Sequence, residues 1–324
     1  MQPPRRSPAV EAERLAATGR GPEAVLLLNR GAASGDADSL FTLAMWRLTG
    51  RYIPVDPALA RELFRRAGEA GRRDAVKIHV NFLASGFGGP ADWSGALRRL
   101  RALAATDAAS AAELALIEKM ALTQDGGPAL LPAPNCLSAS PEVTRFAGLF
   151  TPEECGYLAG AAAPMLKPSV VVDPRSGRQM PHPVRTSDGA VFAWLVANPA
   201  VHALNRRIAA ASGTRVEQGE PLQVLRYRPG QQYRSHLDAV PGPGGNRRIL
   251  TLIVYLNDGY KGGETQFAKT GLSVRGRMGD GLLFRNTLPD GRADPMSEHA
   301  GLPVTTGTKL IATRWIWERD FAPA

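Results

Sequence analysis

The N-terminal third of the chain repeats itself at a fixed interval, which restricts what this part can fold into. When the sequence is offset by 36 residues, small, aromatic and acidic positions coincide over residues 9–120. Fixed-period similarity of this length indicates stacked helical pairs, each of which buries its apolar face against the next. We therefore predict a short α-helical repeat domain. The coinciding positions are Ala24, Ala60 and Ala96, Leu27 and Leu63, Gly35 and Gly71, Asp38 and Asp74, Trp46 and Phe82, Gly50 and Gly86, and Asp56 and Asp92.

The length of the chain and its proline pattern suggest two domains. At 324 residues the chain exceeds the usual size of a single core. Residues 121–140 contain several prolines and read as a linker, so a second domain is predicted over 141–324. Residues 1–8 read as a flexible leader with no secretory signal.

The C-terminal half carries short apolar runs that are typical of β-strands. They are rich in β-branched and aromatic residues and are separated by Gly, Pro, Asn and Asp. Closely spaced strands of this kind predict a sandwich or an open barrel, and the chain as a whole is then of the α+β class. The clearest runs are Leu222–Tyr227, Tyr233–His236, Arg248–Leu256, Gly281–Phe284 and Lys309–Trp317.

Two histidines and an aspartate in this half have the spacing of a metal site. His236 and Asp238 are two residues apart, so on an extended strand they would point to the same face. His299, on another predicted strand, would complete a set of two imidazoles and one carboxylate. Such a set with open positions suits non-haem Fe(II), which must also hold a co-substrate and O₂. Zinc is the competing metal, because the same ligands can bind it.

Lys309 begins the last predicted strand. On an extended strand it would point to the same side as every second residue after it, and most of these residues are apolar. Ile311, Thr313, Trp315 and Trp317 lie on the same side of an extended strand as Lys309. A buried ammonium is costly unless it meets an anion, and the distal carboxylate of 2-oxoglutarate is such an anion. The alternative is a lysine at a strand start with its ammonium in solvent.

Residues from about 141 to 322 resemble the prolyl 4-hydroxylase branch of the Fe(II)/2-oxoglutarate-dependent dioxygenases. The resemblance implies a double-stranded β-helix (jelly-roll) domain with supporting helices. It also implies hydroxylation of a peptidyl proline with Fe(II), 2-oxoglutarate and O₂, release of succinate and CO₂, and ascorbate as a reductant. The repeats are similar to Sel1-like or tetratricopeptide-type repeats. The matching stretches are Phe150–Cys155, Val184–Ser187, Leu222–Tyr227, Tyr233–Asp238, Arg248–Asp258, Gly262–Phe267, Leu272–Arg277, Gly279–Phe284, His299–Val304 and Gly307–Lys309.

The resemblance assigns a role to each matching side chain. It implies that a mobile loop over residues 168–190 closes on the peptide as a lid. Tyr233 and Trp315 could instead be ordinary barrel aromatics, and Arg248 a charge at a strand edge. The implied roles are iron ligation by His236, Asp238 and His299; binding of the distal carboxylate by Lys309; hydrogen bonding to the co-substrate by Tyr227 and Thr265; lining of the site by Trp315; lining of the proline pocket by Tyr233 and Arg248; and a place in the closing loop for Arg185 and Ser187.

Three interpretations of function remain open at this point. The first is hydroxylation of a peptidyl proline, the second is the same oxidation of a free amino acid or another side chain, and the third is a non-catalytic binding protein. The complete set of ligands and Lys309 argues against the third. The repeats are either a docking surface for a protein or peptide substrate, or a structural brace.

The charge and hydropathy of the chain indicate which partners to expect. The formal net charge is +9, but no nucleic-acid-binding motif accompanies the paired arginines, so no nucleic acid partner is expected. The longest apolar run, 249–256, is too short to span a bilayer, so no membrane association is expected. Cys136 and Cys155 do not make a disulfide framework. We therefore expect a cytoplasmic protein.

Overall fold

The structure, a computed structural model, describes residues 7–172, 179–181 and 184–321. The chain divides into two compact units. The helical unit comprises Met1–Met120 together with Trp194–His202, and the sheet unit comprises Ala121–Ala193 together with Ala203–Ala324. Most of the predicted leader and, within the predicted lid, residues 173–178 and 182–183 lie outside the described residues.

Consecutive helices of the helical unit pack against one another along the chain. The apolar faces of the helices between residues 8 and 85 form one continuous core, in which Leu28, Leu40 and Phe64 are almost fully buried. This arrangement confirms the predicted helical repeats. The helices are α1 (Pro8–Ala17), α2 (Gly21–Ala33), α3 (Ala37–Thr49), α4 (Pro57–Glu69), α5 (Arg73–Ser85), α6 (Trp93–Ala104) and α7 (Ala108–Ile117).

The 36-residue period of the sequence corresponds to equivalent helix ends. Gly50 and Gly86 follow α3 and α5 in the left-handed conformation, with φ of 69° and 80°, which glycine adopts without the strain of a Cβ atom. Asp56 and Asp92 cap the N-termini of α4 and α6 by accepting hydrogen bonds from backbone amides. Small residues let the helices approach closely. Three of them, Ala24, Ala60 and Ala96, are fully buried.

A segment from much later in the chain completes the helical unit. The rings of Trp194 and Phe87 are stacked, with centroids 4.8 Å apart and an interplanar angle of 6°. The side-chain amide of Asn81 donates to the backbone carbonyl of Leu195 at 2.9 Å. The sequence analysis did not anticipate this association, because nothing in the local pattern of Trp194–His202 distinguishes it from a surface loop.

A buried carboxylate of the helical unit meets the end of the same segment. Oε1 of Glu113 accepts a hydrogen bond from the backbone amide of Ala200 at 3.3 Å. Ala200 lies in the first turn of α9 (Pro199–Ser212), where a carboxylate complements the helix dipole. Burial raises the pKa of Glu113 to about 7, and the bond from Ala200 opposes this change.

Within the described residues, the sheet unit is built mainly from one eight-stranded and one four-stranded antiparallel sheet. Helix α8 (Pro152–Ala162) begins with a capping box at Thr151. The strands are β1 (Pro134–Ala139), β2 (Glu142–Phe146), β3 (Lys167–Pro168), β4 (Val170–Val172), β5 (Gln179–Pro181), β6 (Asp188–Phe192), β7 (Leu222–Tyr227), β8 (Tyr233–His236), β9 (Arg248–Tyr255), β10 (Lys261–Gly262), β11 (Thr265–Phe267), β12 (Ser273–Val274), β13 (Gly281–Arg285), β14 (His299–Gly301), β15 (Val304–Thr306) and β16 (Lys309–Trp317). The larger sheet has the order β1-β2-β13-β9-β16-β7-β6-β3 and the smaller sheet the order β12-β11-β14-β8.

The two larger sheets enclose one apolar interior. Phe267 of the smaller sheet meets Phe284 of the larger one edge to face, with ring centroids 5.3 Å apart. Both side chains are fully buried. The α+β class with a jelly-roll domain is therefore confirmed. Strand β1 begins at Pro134, inside the stretch that was predicted to be a linker. Among the described residues, every helix is too short or too polar to cross a membrane.

Candidate metal and co-substrate site

Two strands of the smaller sheet and the segment after one of them bring three ligand side chains together. His236 ends β8 and His299 begins β14, and the two residues are paired directly across these strands. Asp238 lies two residues beyond the end of β8, so it is not on the strand where the sequence analysis placed it. One ligand atom from each of the three side chains lies within 4.8 Å of the others.

Backbone carbonyls fix the orientation of both imidazoles. Nδ1 of His236 is 2.8 Å from the carbonyl of Arg234, and Nδ1 of His299 is 2.9 Å from that of Ser297. A carbonyl can only accept, so each Nδ1 carries the proton and each Nε2 keeps a free lone pair. The Nε2 atoms are 3.4 and 3.7 Å from the carboxylate oxygens of Asp238. The two lone pairs and the carboxylate therefore converge on one point.

The charges of these groups suit a divalent cation. Burial alone would raise the pKa of Asp238, but the neighbouring side chains of His236, His299 and Thr251 outweigh it and hold this pKa well below its usual range. Burial lowers the pKa of His299, which favours the neutral imidazole that binds metals. Two neutral imidazoles and one ionised carboxylate fit Fe(II), and the same donors would accept zinc.

The three ligand side chains border a cavity. The face of β16 that carries Lys309 and every second residue after it lines the same cavity. Lys309, Ile311, Thr313 and Trp315 all border it, together with the three ligand side chains. Trp317 does not border the cavity, and the register with β9 shifts between Ile316 and Trp317.

Lys309 is a buried cation in this cavity. Its side chain is almost fully buried, and its ammonium donates to the carbonyl of Gly263 at 2.6 Å. Burial lowers the pKa of Lys309 to about 8, although the charge of Glu264 opposes the change. Gly263 has φ of 70°, and a Cβ there would stand 3.1 Å from Cδ of the lysine. The prediction that Lys309 faces the interior is therefore confirmed, and the solvent-exposed alternative is wrong.

The two side chains predicted to bind the co-substrate lie in the same cavity as Lys309. Tyr227 pairs with Lys309 across β7 and β16, and its ring centroid is 5.5 Å from the ammonium. Burial raises the pKa of Tyr227, and a hydrogen bond with Ser187 opposes this. The hydroxyl of Thr265 is 3.1 Å from that of Tyr255. Hydroxyl groups and a cation thus surround the end of the cavity beside Lys309.

Tyr233 lies beside the first histidine, and the predicted loop residue Arg185 lies beside Tyr233. The ring of Tyr233 stacks on that of His236, with centroids 3.5 Å apart. Arg185 forms an isolated bridge with Tyr233, and its guanidinium is 5.7 Å from the tyrosine ring. Ser187 is 1% exposed and is therefore part of the packed interior rather than of an open loop surface. The described parts of the predicted lid include β4 and β5, which pair with each other.

Trp315 lines another part of the cavity wall, and Arg248, which is not one of the lining residues, packs against it. The guanidinium of Arg248 lies 4.5 Å from the ring centroid of Trp315 and donates to Oε1 of Glu220. The indole N–H of Trp317 donates to the same oxygen at 2.9 Å. Among the described side chains, none accepts a hydrogen bond from the buried Nε1 of Trp315. The sequence analysis missed Glu220, because a single glutamate before a strand carries no motif.

Sequence comparison connects this site to known proteins. The sequence model of the 2OG-Fe(II) oxygenase superfamily matches residues 222–317, a range that contains the two histidines, Asp238 and Lys309. Prolyl 4-hydroxylase 1 from Arabidopsis thaliana is 36% identical over 204 residues, which are 57% of this chain and 72% of that protein.

Two solved structures were also compared. The viral collagen prolyl hydroxylase from Paramecium Bursaria Chlorella virus-1, in complex with 2OG, covers 54% of this chain and 95% of its own, with 27% identity and a TM-score of 0.42. A Sel1 repeat protein from Oxalobacter formigenes covers 34% of this chain and 47% of its own, with 21% identity and a TM-score of 0.31. The assignment follows from the sequence relatives: the chain belongs to the prolyl 4-hydroxylase family of the 2OG-Fe(II) oxygenase superfamily and is a 2-oxoglutarate-dependent dioxygenase.

Proposed function

We propose that the protein hydroxylates a proline residue within a peptide or protein chain. The observation that carries this proposal is the placement of the buried cation Lys309 in the same cavity as His236, Asp238 and His299. A cation at this place gives a dicarboxylic co-substrate a fixed orientation toward the metal ligands. The relatives that are named prolyl 4-hydroxylases support proline as the target.

In this proposal the metal ligands and the co-substrate residues have separate tasks. His236, Asp238 and His299 hold Fe(II), which together with 2-oxoglutarate and O₂ supplies oxidative decarboxylation to succinate and CO₂ and the oxygen that enters the substrate. Lys309 binds the distal carboxylate by charge, and the hydroxyls of Tyr227 and Thr265 donate hydrogen bonds to the co-substrate. Ascorbate is proposed as the reductant that keeps the iron ferrous.

A second group of side chains is proposed to bind the substrate proline. Proline offers a compact apolar ring and a carbonyl acceptor but no N–H. The rings of Tyr233 and Trp315 provide apolar faces beside the metal ligands, and Arg248 provides a donor held in place by Glu220. Arg185, on the segment that bridges to Tyr233, is proposed to close over the peptide. Exclusion of water by such closure protects the oxidising step.

The substrate class can be tested with a library of short synthetic peptides that each contain one proline. With Fe(II), 2-oxoglutarate and ascorbate, we expect a subset of these peptides to gain the mass of one oxygen atom and an equal amount of succinate to form. The control is a matched library in which alanine replaces proline. Hydroxylation of free proline, or of another side chain of the peptides, with no peptidyl proline hydroxylated, would instead support the second interpretation.

For the helical unit we propose a structural task, namely to hold Trp194–His202 in place. The stacking of Trp194 on Phe87 and the bond from Asn81 to the carbonyl of Leu195 support this proposal. Docking of a protein substrate on other faces of the repeats is compatible with it. The proposal makes the repeats necessary for the stability of the whole chain, whereas a docking surface alone would affect only the efficiency toward a large substrate.

The Trp194→Ala substitution is expected to lower the melting temperature of the full chain clearly. Because Trp194 is only partly buried, we expect the loss of its packing to cost about 3 kcal/mol, which is the low end of the usual range for a packed tryptophan. The matched control is Leu26→Ala on α2, whose side chain is 59% exposed and where we expect almost no change. Equal melting temperatures for the two variants, measured by circular dichroism, would contradict the structural task.

A further inference from the structure

A chain of buried hydrogen bonds leads away from the carboxylate ligand. Oδ2 of Asp238 accepts from the hydroxyl of Thr251 at 2.7 Å. The same hydroxyl accepts from Nδ2 of Asn286 at 3.0 Å. The exposed fractions of Asp238, Thr251 and Asn286 are 3%, 1% and 0%. Buried polar groups that satisfy one another in this way hold a single arrangement.

The direction of the bonds follows from the single proton of the threonine hydroxyl. That proton can go to the carboxylate of Asp238 at 2.7 Å or to Oδ1 of Asn286 at 3.4 Å. The shorter contact to a charged acceptor is the stronger bond. The asparagine then donates through its amide, and this fixes the lone pairs of the hydroxyl as acceptors. The carboxylate therefore receives a bond on Oδ2 from a group that cannot rotate freely.

These hydrogen bonds connect the segment after β8, which carries Asp238, to the larger sheet. Both histidine ligands belong to the smaller sheet, whereas Thr251 lies on the central strand β9, paired with Phe284 on one side and Trp315 on the other. Asn286 follows β13, and its backbone amide donates to the carbonyl of Ile249 at 2.9 Å. The larger sheet thus determines where the carboxylate of Asp238 stands relative to the two imidazoles.

We propose that Thr251 and Asn286 are positioning residues that make Asp238 a ligand through one oxygen only. With Oδ2 held by the threonine hydroxyl, Oδ1 is the oxygen left for the metal, and it is the one 3.4 Å from Nε2 of His236. Ligation through one oxygen keeps a coordination position open for the co-substrate or O₂. This inference rests on the proposed function, because it requires that the three ligands bind a metal.

The test measures metal binding rather than turnover, with Mn(II) as the probe and electron paramagnetic resonance as the readout. Thr251→Val keeps the shape but removes the hydroxyl, and we expect Mn(II) to bind about 10–100-fold more weakly, as is usual when the partner of a ligand is lost. Thr251→Ser restores the hydroxyl and should restore most of the affinity. With Co(II), the visible absorption of Thr251→Val should weaken, because ligation through both oxygens raises the coordination number.

Asn286→Asp provides an independent variant of almost unchanged shape. It replaces the amide donor with a second carboxylate, which competes with Asp238 for the single hydroxyl proton of Thr251. We expect weaker Mn(II) binding in this variant as well. It keeps the inference testable if Thr251→Val does not fold, as judged from its melting temperature.

The outcomes separate this inference from the proposed function. Thr144→Val removes a hydroxyl from β2 of the same large sheet and should bind Mn(II) like the unaltered chain. If folded Thr251→Val and Asn286→Asp also bind Mn(II) with unaltered affinity, the positioning role is overturned while the metal site stands. If the unaltered chain itself fails to bind Mn(II), Fe(II) or Co(II), the proposed function is overturned together with this inference.

Discussion

Asp238→Ala is expected to abolish 2-oxoglutarate turnover while leaving the protein folded. The substitution removes the only carboxylate among the three clustered ligands, and the two neutral imidazoles alone bind Fe(II) much more weakly. Alanine introduces no new charge, and the hydroxyl of Thr251 loses one bond but keeps the one from Asn286. Succinate release, measured with saturating Fe(II), and circular dichroism of the variant check the two parts of this prediction.

An exposed aspartate provides the control for this variant. Asp290 has a half-exposed side chain that pairs with Arg292 at the surface, so Asp290→Ala should keep full turnover and stability. Unchanged decarboxylation in folded Asp238→Ala would show that iron is held elsewhere and would remove the basis of the site assignment.

Lys309→Ala is expected to weaken the binding of 2-oxoglutarate by roughly 10²–10³-fold, because loss of one partner of a buried ion pair costs on the order of 3–5 kcal/mol. The ammonium is buried in the cavity, so water cannot easily replace it. Since burial lowers the pKa of Lys309 to about 8, the affinity of the unaltered protein should also fall as the pH rises through this value. Titration calorimetry with Mn(II) in the metal site can follow both effects.

The pH dependence provides a second check on the same lysine. In Lys309→Ala the fall in affinity near pH 8 should disappear, because the group that loses its proton there is absent. Lys261→Ala, which removes an exposed lysine of β10, should leave both the affinity and its pH dependence unchanged. Unaltered affinity in Lys309→Ala would show that another group binds the distal carboxylate.

Periodic and local patterns in the sequence predicted a large part of this structure. The alternation along β16 placed Lys309 and Trp315 on one face, and the cavity lies on that face. The 36-residue period predicted stacked helices, and the coinciding Gly50 and Gly86 follow two of these helices in the same conformation. These predictions succeeded because each depends on geometry within one strand or one repeat, which the order of residues along the chain determines.

The features that the sequence did not predict depend on contacts between distant segments. Thr251 on β9 and Asn286 after β13 support Asp238, and nothing near either residue in the sequence distinguishes it from other buried polar residues. Glu220 is identified only by its contacts with Arg248 and Trp317. The register shift between Ile316 and Trp317 likewise results from the pairing of β9 with β16.

The discontinuous helical unit has a consequence for synthesis of the protein. The repeats leave the ribosome first, but the unit is completed only when Trp194–His202 has been made. At roughly 5–20 residues per second, ribosomes need several seconds or more to make the sequence between the last repeat and Trp194. During this interval the surface around Phe87 and Asn81 lacks its native partner. The nascent chain therefore passes through a stage at which chaperones could recognise the unfinished repeats.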